Sequence, residues 1–155
     1  MTKAGATMTM SDLITPDQVL ERAAYTDKSN AIRELASRAA EIAGVDVAAI
    51  EQALKAREAL GSTGVGQGIA IPHARIEGLS GFVGVFARLT KPIDFQSVDG
   101  KACDLIFLLL IPPKDASRQV SALALISRRL RDKSVVESVR SATGRTEIYR
   151  LLVGS

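Results

Sequence analysis

The chain has 155 residues, of which 46% are hydrophobic and 24% charged, with a formal net charge of +3. That length makes one domain with a substantial core and argues against two, and the composition excludes a disordered chain, which would be poorer in apolar residues and more strongly charged. The mild basic excess permits an acidic or phosphorylated partner without requiring one; with 4% aromatic residues and no RNP, zinc-finger or basic-zipper pattern, the charges read as solvated faces and no nucleic-acid partner is expected.

The first ten residues, MTKAGATMTM, carry no motif and read as a flexible lead over residues 1–10, with the domain over residues 11–155. No apolar h-region follows Lys3, so neither a secretory signal nor an anchor is expected and the location defaults to the cytoplasm. In ITPDQVL, Thr15 precedes Pro16 with Gln18 three residues on, a capping-box-like signal for a short helical turn before an extended stretch. From Ser29 to Ala43, Ile32, Leu35, Ala36, Ala39 and Ile42 recur at spacings of three and four, with Gly44 as the stop, which predicts an amphipathic helix. A second helix is predicted from Val47 to Leu60, capped by Asp46 and stopped by Gly61, with Val47, Ile50 and Leu54 as its apolar stripe. The same spacing carries Arg57 onto that stripe. A guanidinium there either meets an anion or a set of acceptors, or snorkels to water at the last turn, and the spacing alone allows both.

The next stretch, GSTGVGQGIAIPHAR, holds the chain's only histidine, His73. Four glycines allow backbone amides to approach an anion, and Ser62 and Thr63 add hydroxyl donors. This is not a P-loop, because no lysine followed by Ser or Thr closes it, and Ile69 stands where a dinucleotide fingerprint has its third glycine. Pro72 stiffens the chain before His73 and biases Ile71 toward extended geometry. If one imidazole nitrogen is held as a donor, the other is a free nucleophile; yet no Ser, Cys or carboxylate partner is marked in the sequence, so a surface or packing histidine remains the competing reading.

GIAIPH and GFVGVFARL predict two short strands, and ACDLIFLLLIPP a third buried on both faces and ended by Pro112 and Pro113. The apolar run Leu105–Ile111 is far shorter than the ~20 residues of a membrane helix, so no membrane insertion is expected. Cys103, the single cysteine, reads as a small core residue and offers no second sulfur for zinc; neither metal nor cofactor is expected. Val120, Leu123, Ile126 and Leu130 mark a helical stripe, and Val135, Val136, Val139 and then Ile148, Leu151, Leu152 mark two closing helices. Strands among helices imply an α/β protein.

REALGSTGVGQGIAIPHARIEGL, KPIDFQSVDGKACDLIFLLLIPP and SALALISRRLRD resemble the nitrogen-type enzyme IIA proteins of the bacterial phosphotransferase system, within the mannitol/fructose-type IIA superfamily, over roughly residues 11–153. The resemblance implies a three-layer α/β/α sandwich with a mixed β-sheet flanked by helices. It implies that His73 takes a phosphoryl group on Nε2 from a phosphorylated HPr-like carrier, that Arg57 helps hold it, and that regulatory targets in nitrogen, potassium or stress control respond to the phosphorylation state. On the same resemblance, Ser62 and Thr63 in the matching loop are expected as secondary donors only, and Arg75 is expected to keep a positive charge near the site. Such a protein is a phosphoryl carrier with no small-molecule turnover of its own. The chain departs from the family where a second histidine commonly stands: Gln119 aligns there, able to donate a hydrogen bond but not to become cationic. Two alternatives stay open, a sugar-type IIA component passing phosphate to a IIB domain and a non-catalytic binding module of the same fold.

Overall fold

The computed structural model describes residues 7–154. The chain begins with 3-10 turns at Met10–Asp12 and Pro16–Gln18, leading into β1 (Val19–Ala23). Met8 and Met10 are buried, so the part of the expected loose lead that is described packs into the core; residues 1–6 of that lead lie outside the described residues. Two helices follow, α1 (Lys28–Ala43) and α2 (Val47–Ala59). Each starts on an aspartate whose carboxylate accepts a third-residue amide, Asp27 from Asn30 at 2.8 Å and Asp46 from Ala49 at 3.1 Å. Then come β2 (Gly64–Gly66), β3 (Ile69–Ala70), β4 (His73–Arg75), β5 (Val83–Ile93) and β6 (Cys103–Ile111), and the chain closes with α3 (Gln119–Arg131), α4 (Lys133–Ser141) and α5 (Arg145–Val153).

The strands form one mixed six-stranded sheet in the order β1-β5-β6-β3-β2, with β4 beside β6 beyond β3. β6 pairs antiparallel with β5 and parallel with both β3 and β4, so it is the central rail of the sheet. Leu105 to Ile111 of β6 are all fully buried. Their alternation divides them between two clusters: Ile106, Leu108 and Leu110 meet the α1–α2 layer, while Leu105, Phe107, Leu109 and Ile111 meet the layer of α3, α4 and α5. This is the expected three-layer α/β/α sandwich. No helix among the described residues is long and apolar enough to cross a membrane.

Three local readings change. GIAIPH is two short strands rather than one, because Pro72 has no N–H to give to the ladder. Helix α2 ends at Ala59, with Leu60 as its C-cap, and Val47 at its start is 40% exposed rather than part of the buried stripe. Val120 is 78% exposed, and the buried face of α3 is instead Ala122, Ile126 and Leu130. Both valines sit in the first turn of a helix, where the neighbouring layer does not yet cover the surface.

Candidate phosphoryl-acceptor site

The glycine-rich stretch is a tight hairpin. β2 and β3 are joined by Gln67 and Gly68, both with positive φ, +59° and +81°, the backbone of a two-residue I′ turn. A Cβ at Gly68 would lie 2.6 Å from Arg140 Nη2 and 2.9 Å from Asp104 Oδ1, and one at Gly64 would lie 3.0 Å from Ser97 Cα. The glycines therefore serve turn geometry and close packing. The amides that the sequence offered to an anion have other acceptors: Thr63 N–H bonds Glu58 Oε1 at 3.0 Å, Gly64 N–H bonds Ser62 Oγ at 3.0 Å, and Gln67 N–H bonds Asp99 Oδ2 at 2.9 Å. Arg140 fastens the turn from α4, gripping Asp104 through Nε (2.9 Å) and Nη2 (2.8 Å) and donating to the Gln67 carbonyl at 2.9 Å.

This hairpin sets the start of β4. Ile71 N–H donates to the Thr63 carbonyl at 3.0 Å, and the Pro72 carbonyl accepts from Leu109 N–H on β6 at 2.9 Å. The Ile71 carbonyl takes no backbone N–H among the described residues and accepts instead from His73 Nδ1 at 2.8 Å. That bond places the proton on Nδ1 and leaves the lone pair on Nε2. Arg57 Nε points at that lone pair from 3.4 Å, while Arg57 Nη1 is tied to the Gly61 carbonyl at 2.9 Å. Burial, with a smaller push from the Arg57 charge, holds the imidazole pKa below its ordinary value, against the Ile71 bond and the Glu58 carboxylate, which favour the cation. His73 is thus a half-buried neutral imidazole with one oriented, unprotonated nitrogen.

The structure brings Arg57 to His73 and pairs Arg75 with Gln119. Arg75 leaves the same face of β4 as His73, two residues on, and its Nε donates to Gln119 Oε1 at the first residue of α3 with a separation of 3.0 Å. Ser62 and Thr63 turn elsewhere: the Ser62 hydroxyl donates to the Phe95 carbonyl at 2.6 Å, and the buried Thr63 hydroxyl donates to Glu58 Oε2. What sequence reasoning missed is the role of Glu58. Its side chain, 6% exposed, accepts from both Thr63 donors and from Lys28 Nζ at 2.9 Å, which joins the start of α1, the end of α2 and the loop that anchors Arg57. The motif pair Arg57-Glu58 was visible in the sequence, but two of its partners, Lys28 for Glu58 and His73 for Arg57, lie too far along the chain to be read from spacing.

Fold and site together define a class: an α/β sandwich that presents a single oriented imidazole, with an adjacent guanidinium, at the edge of its sheet. The family described as "Phosphoenolpyruvate-dependent sugar phosphotransferase system, EIIA 2" matches residues 12–154, and the chain belongs to it. A nitrogen regulatory protein of Bradyrhizobium diazoefficiens is 41% identical over 145 residues, covering 94% of this chain and 95% of that protein. One from Escherichia coli (strain K12) is 32% identical over 153 residues, covering 98% and 94%. The crystal structure of nitrogen regulatory protein IIA-Ntr from Neisseria meningitidis superposes with a TM-score of 0.87 at 29% identity, over 92% of this chain and 98% of that one.

Proposed function

We propose that this chain is a phosphoryl-relay regulatory protein: His73 accepts a phosphoryl group on Nε2 from a phosphorylated HPr-like carrier, and the phosphorylation state governs binding to targets in nitrogen, potassium or stress control. The observation that carries the reading is the 2.8 Å bond from Nδ1 to the Ile71 carbonyl, which leaves Nε2 as the one available nucleophile, facing Arg57. The regulatory part is supported by relatives named nitrogen regulatory proteins that match nearly end to end.

The chemistry is sparse. The Nε2 lone pair forms the new bond to phosphorus as the bond from phosphorus to the carrier's histidine breaks, and the carrier imidazole recovers that electron pair. The proton stays on Nδ1, hydrogen-bonded to the Ile71 carbonyl, so acceptance by Nε2 requires no general base. Positioning and charge do the rest. Arg57 is held by Gly61 at the face of Nε2, where its planar fork can take two equatorial oxygens. Arg75, steadied by Gln119, supplies a second cation near a position where the family commonly has an imidazole. With Ser62 and Thr63 bonded to Phe95 and Glu58, their part in this reading is to shape the loop.

Intact-mass measurement after incubation with enzyme I, an HPr-like carrier and phosphoenolpyruvate tests the proposal. One acid-labile phosphoryl group is expected, absent from a folded His73→Ala variant. No added group, or an acid-stable one retained by His73→Ala, overturns it.

A further inference from the structure

Behind the segment that presents His73 lies a cavity of about 460 Å³ between the β2–β3 hairpin and the corner joining α3 to α4. Its size is in the range of small-molecule sites, ~300–1,000 Å³. The floor is apolar and buried: Ile69 and Ile71 from the sheet, Leu130 from α3 and Val136 from α4. The rim is basic. Arg131 ends α3 and Lys133 begins α4, both line the cavity, and neither makes an ion pair among the described residues. Arg140 also lines it, but its charge is matched by Asp104. Glu137, the one acidic lining residue, offsets one of the two unpaired cations and leaves a single net positive charge.

We propose that this cavity is a binding site for a small monoanion with an apolar body, such as an aromatic or short-chain carboxylate, its hydrocarbon part on the isoleucine, leucine and valine floor and its charge at the Arg131–Lys133 corner. The site is separate from the imidazole, because the phosphoryl acceptor and its arginine are not among its lining residues. It touches Ile71, whose carbonyl orients His73, and Gln67, whose carbonyl Arg140 holds. An occupant therefore contacts the segment that presents the imidazole.

The test is an NMR titration of the unphosphorylated protein with 1-naphthoate, in parallel with the neutral naphthalene-1-carboxamide and the cationic 1-naphthylmethylammonium. Naphthoate should shift the Ile69, Ile71, Leu130 and Val136 methyl resonances saturably, with a dissociation constant below about 1 mM. The amide should bind more weakly and the cation weakest. Reversing both exposed charges, Arg131→Glu with Lys133→Glu, should weaken naphthoate binding by about tenfold. His73→Ala should bind naphthoate as wild type does, so the result does not depend on phosphoryl transfer. Absence of saturable shifts at those methyls, equal binding of the cation, or an unchanged affinity after charge reversal would each overturn the proposal.

Discussion

Strand β6 and the β3–β4 segment run side by side in parallel register, with His73 paired to Leu109, yet they do opposite work. Every residue of β6 from Leu105 to Ile111 is fully buried, and its polar backbone is absorbed by neighbours on both sides. The β3–β4 segment lies beyond it and is interrupted by Pro72. The interruption matters because a carbonyl with no ladder partner becomes the acceptor for His73 Nδ1. A rigid strand supplies the position, and a break in its neighbour supplies the one hydrogen bond that fixes the tautomer.

The largest effect is expected from weakening the rail. Phe107 on β6 packs against Phe86 on β5 with ring centroids 6.2 Å apart. Phe107→Ala should cost about 3–5 kcal/mol of stability, read from the denaturant midpoint, while transfer per folded molecule stays near wild type. A loss under about 1 kcal/mol would mean that the rail is not what holds the sheet.

Breaking the other side of the comparison should leave the fold and reduce the chemistry. Arg57→Ala should slow phosphoryl acceptance by about 10²-fold with little change in melting temperature, the magnitude seen when one preorganised donor to a transition-state oxygen is removed. Arg57→Lys should remain impaired, since it keeps the charge and loses the fork. Equal rates in wild type and Arg57→Ala would remove Arg57 from the site.

Glu58 joins the two regions, so its effect should be intermediate and mixed. Glu58→Gln leaves Lys28, itself mostly buried, without its counter-charge. It should cost about 1–3 kcal/mol and slow acceptance severalfold by loosening the loop that holds Gly61 against Arg57. A stability loss with unchanged transfer would confine Glu58 to the scaffold.

How much of this was legible follows the range of the interactions. Arg57 and His73 stood out because one breaks an apolar stripe at helical spacing and the other follows Pro72 as the only imidazole, both local signals. The β6 run gave away its double burial in the same way. The I′ hairpin was read as an anion cradle because Gln67, with positive φ, is not the usual residue for that conformation. The engagements of Ser62 with Phe95, of Glu58 with Lys28 and of Arg140 with Asp104 join residues 30 to 36 positions apart, and no period records such pairs. Val120 was misassigned because periodicity gives spacing and not how far a neighbouring layer extends.

The smallest effect is a shift in a pH profile. Burial of His73 disfavours its cation, so Nε2 keeps its lone pair to lower pH than a free imidazole would. The acid-side midpoint of acceptance should therefore lie below the ordinary imidazole value of 6.5. Arg57→Ala removes a nearby positive charge and should move that midpoint toward higher pH. A wild-type midpoint above 6.5 would contradict the burial argument.

The central claim is that the Ile71 carbonyl fixes the proton on Nδ1 so that Nε2 is the nucleophile. Nitrogen-15 NMR of the His73 ring, before and after phosphorylation, measures this directly. The account predicts a neutral imidazole with its proton on Nδ1 in the free protein and phosphorus bonded to Nε2 afterwards. A proton on Nε2 in the free protein, or phosphorus on Nδ1, would contradict it.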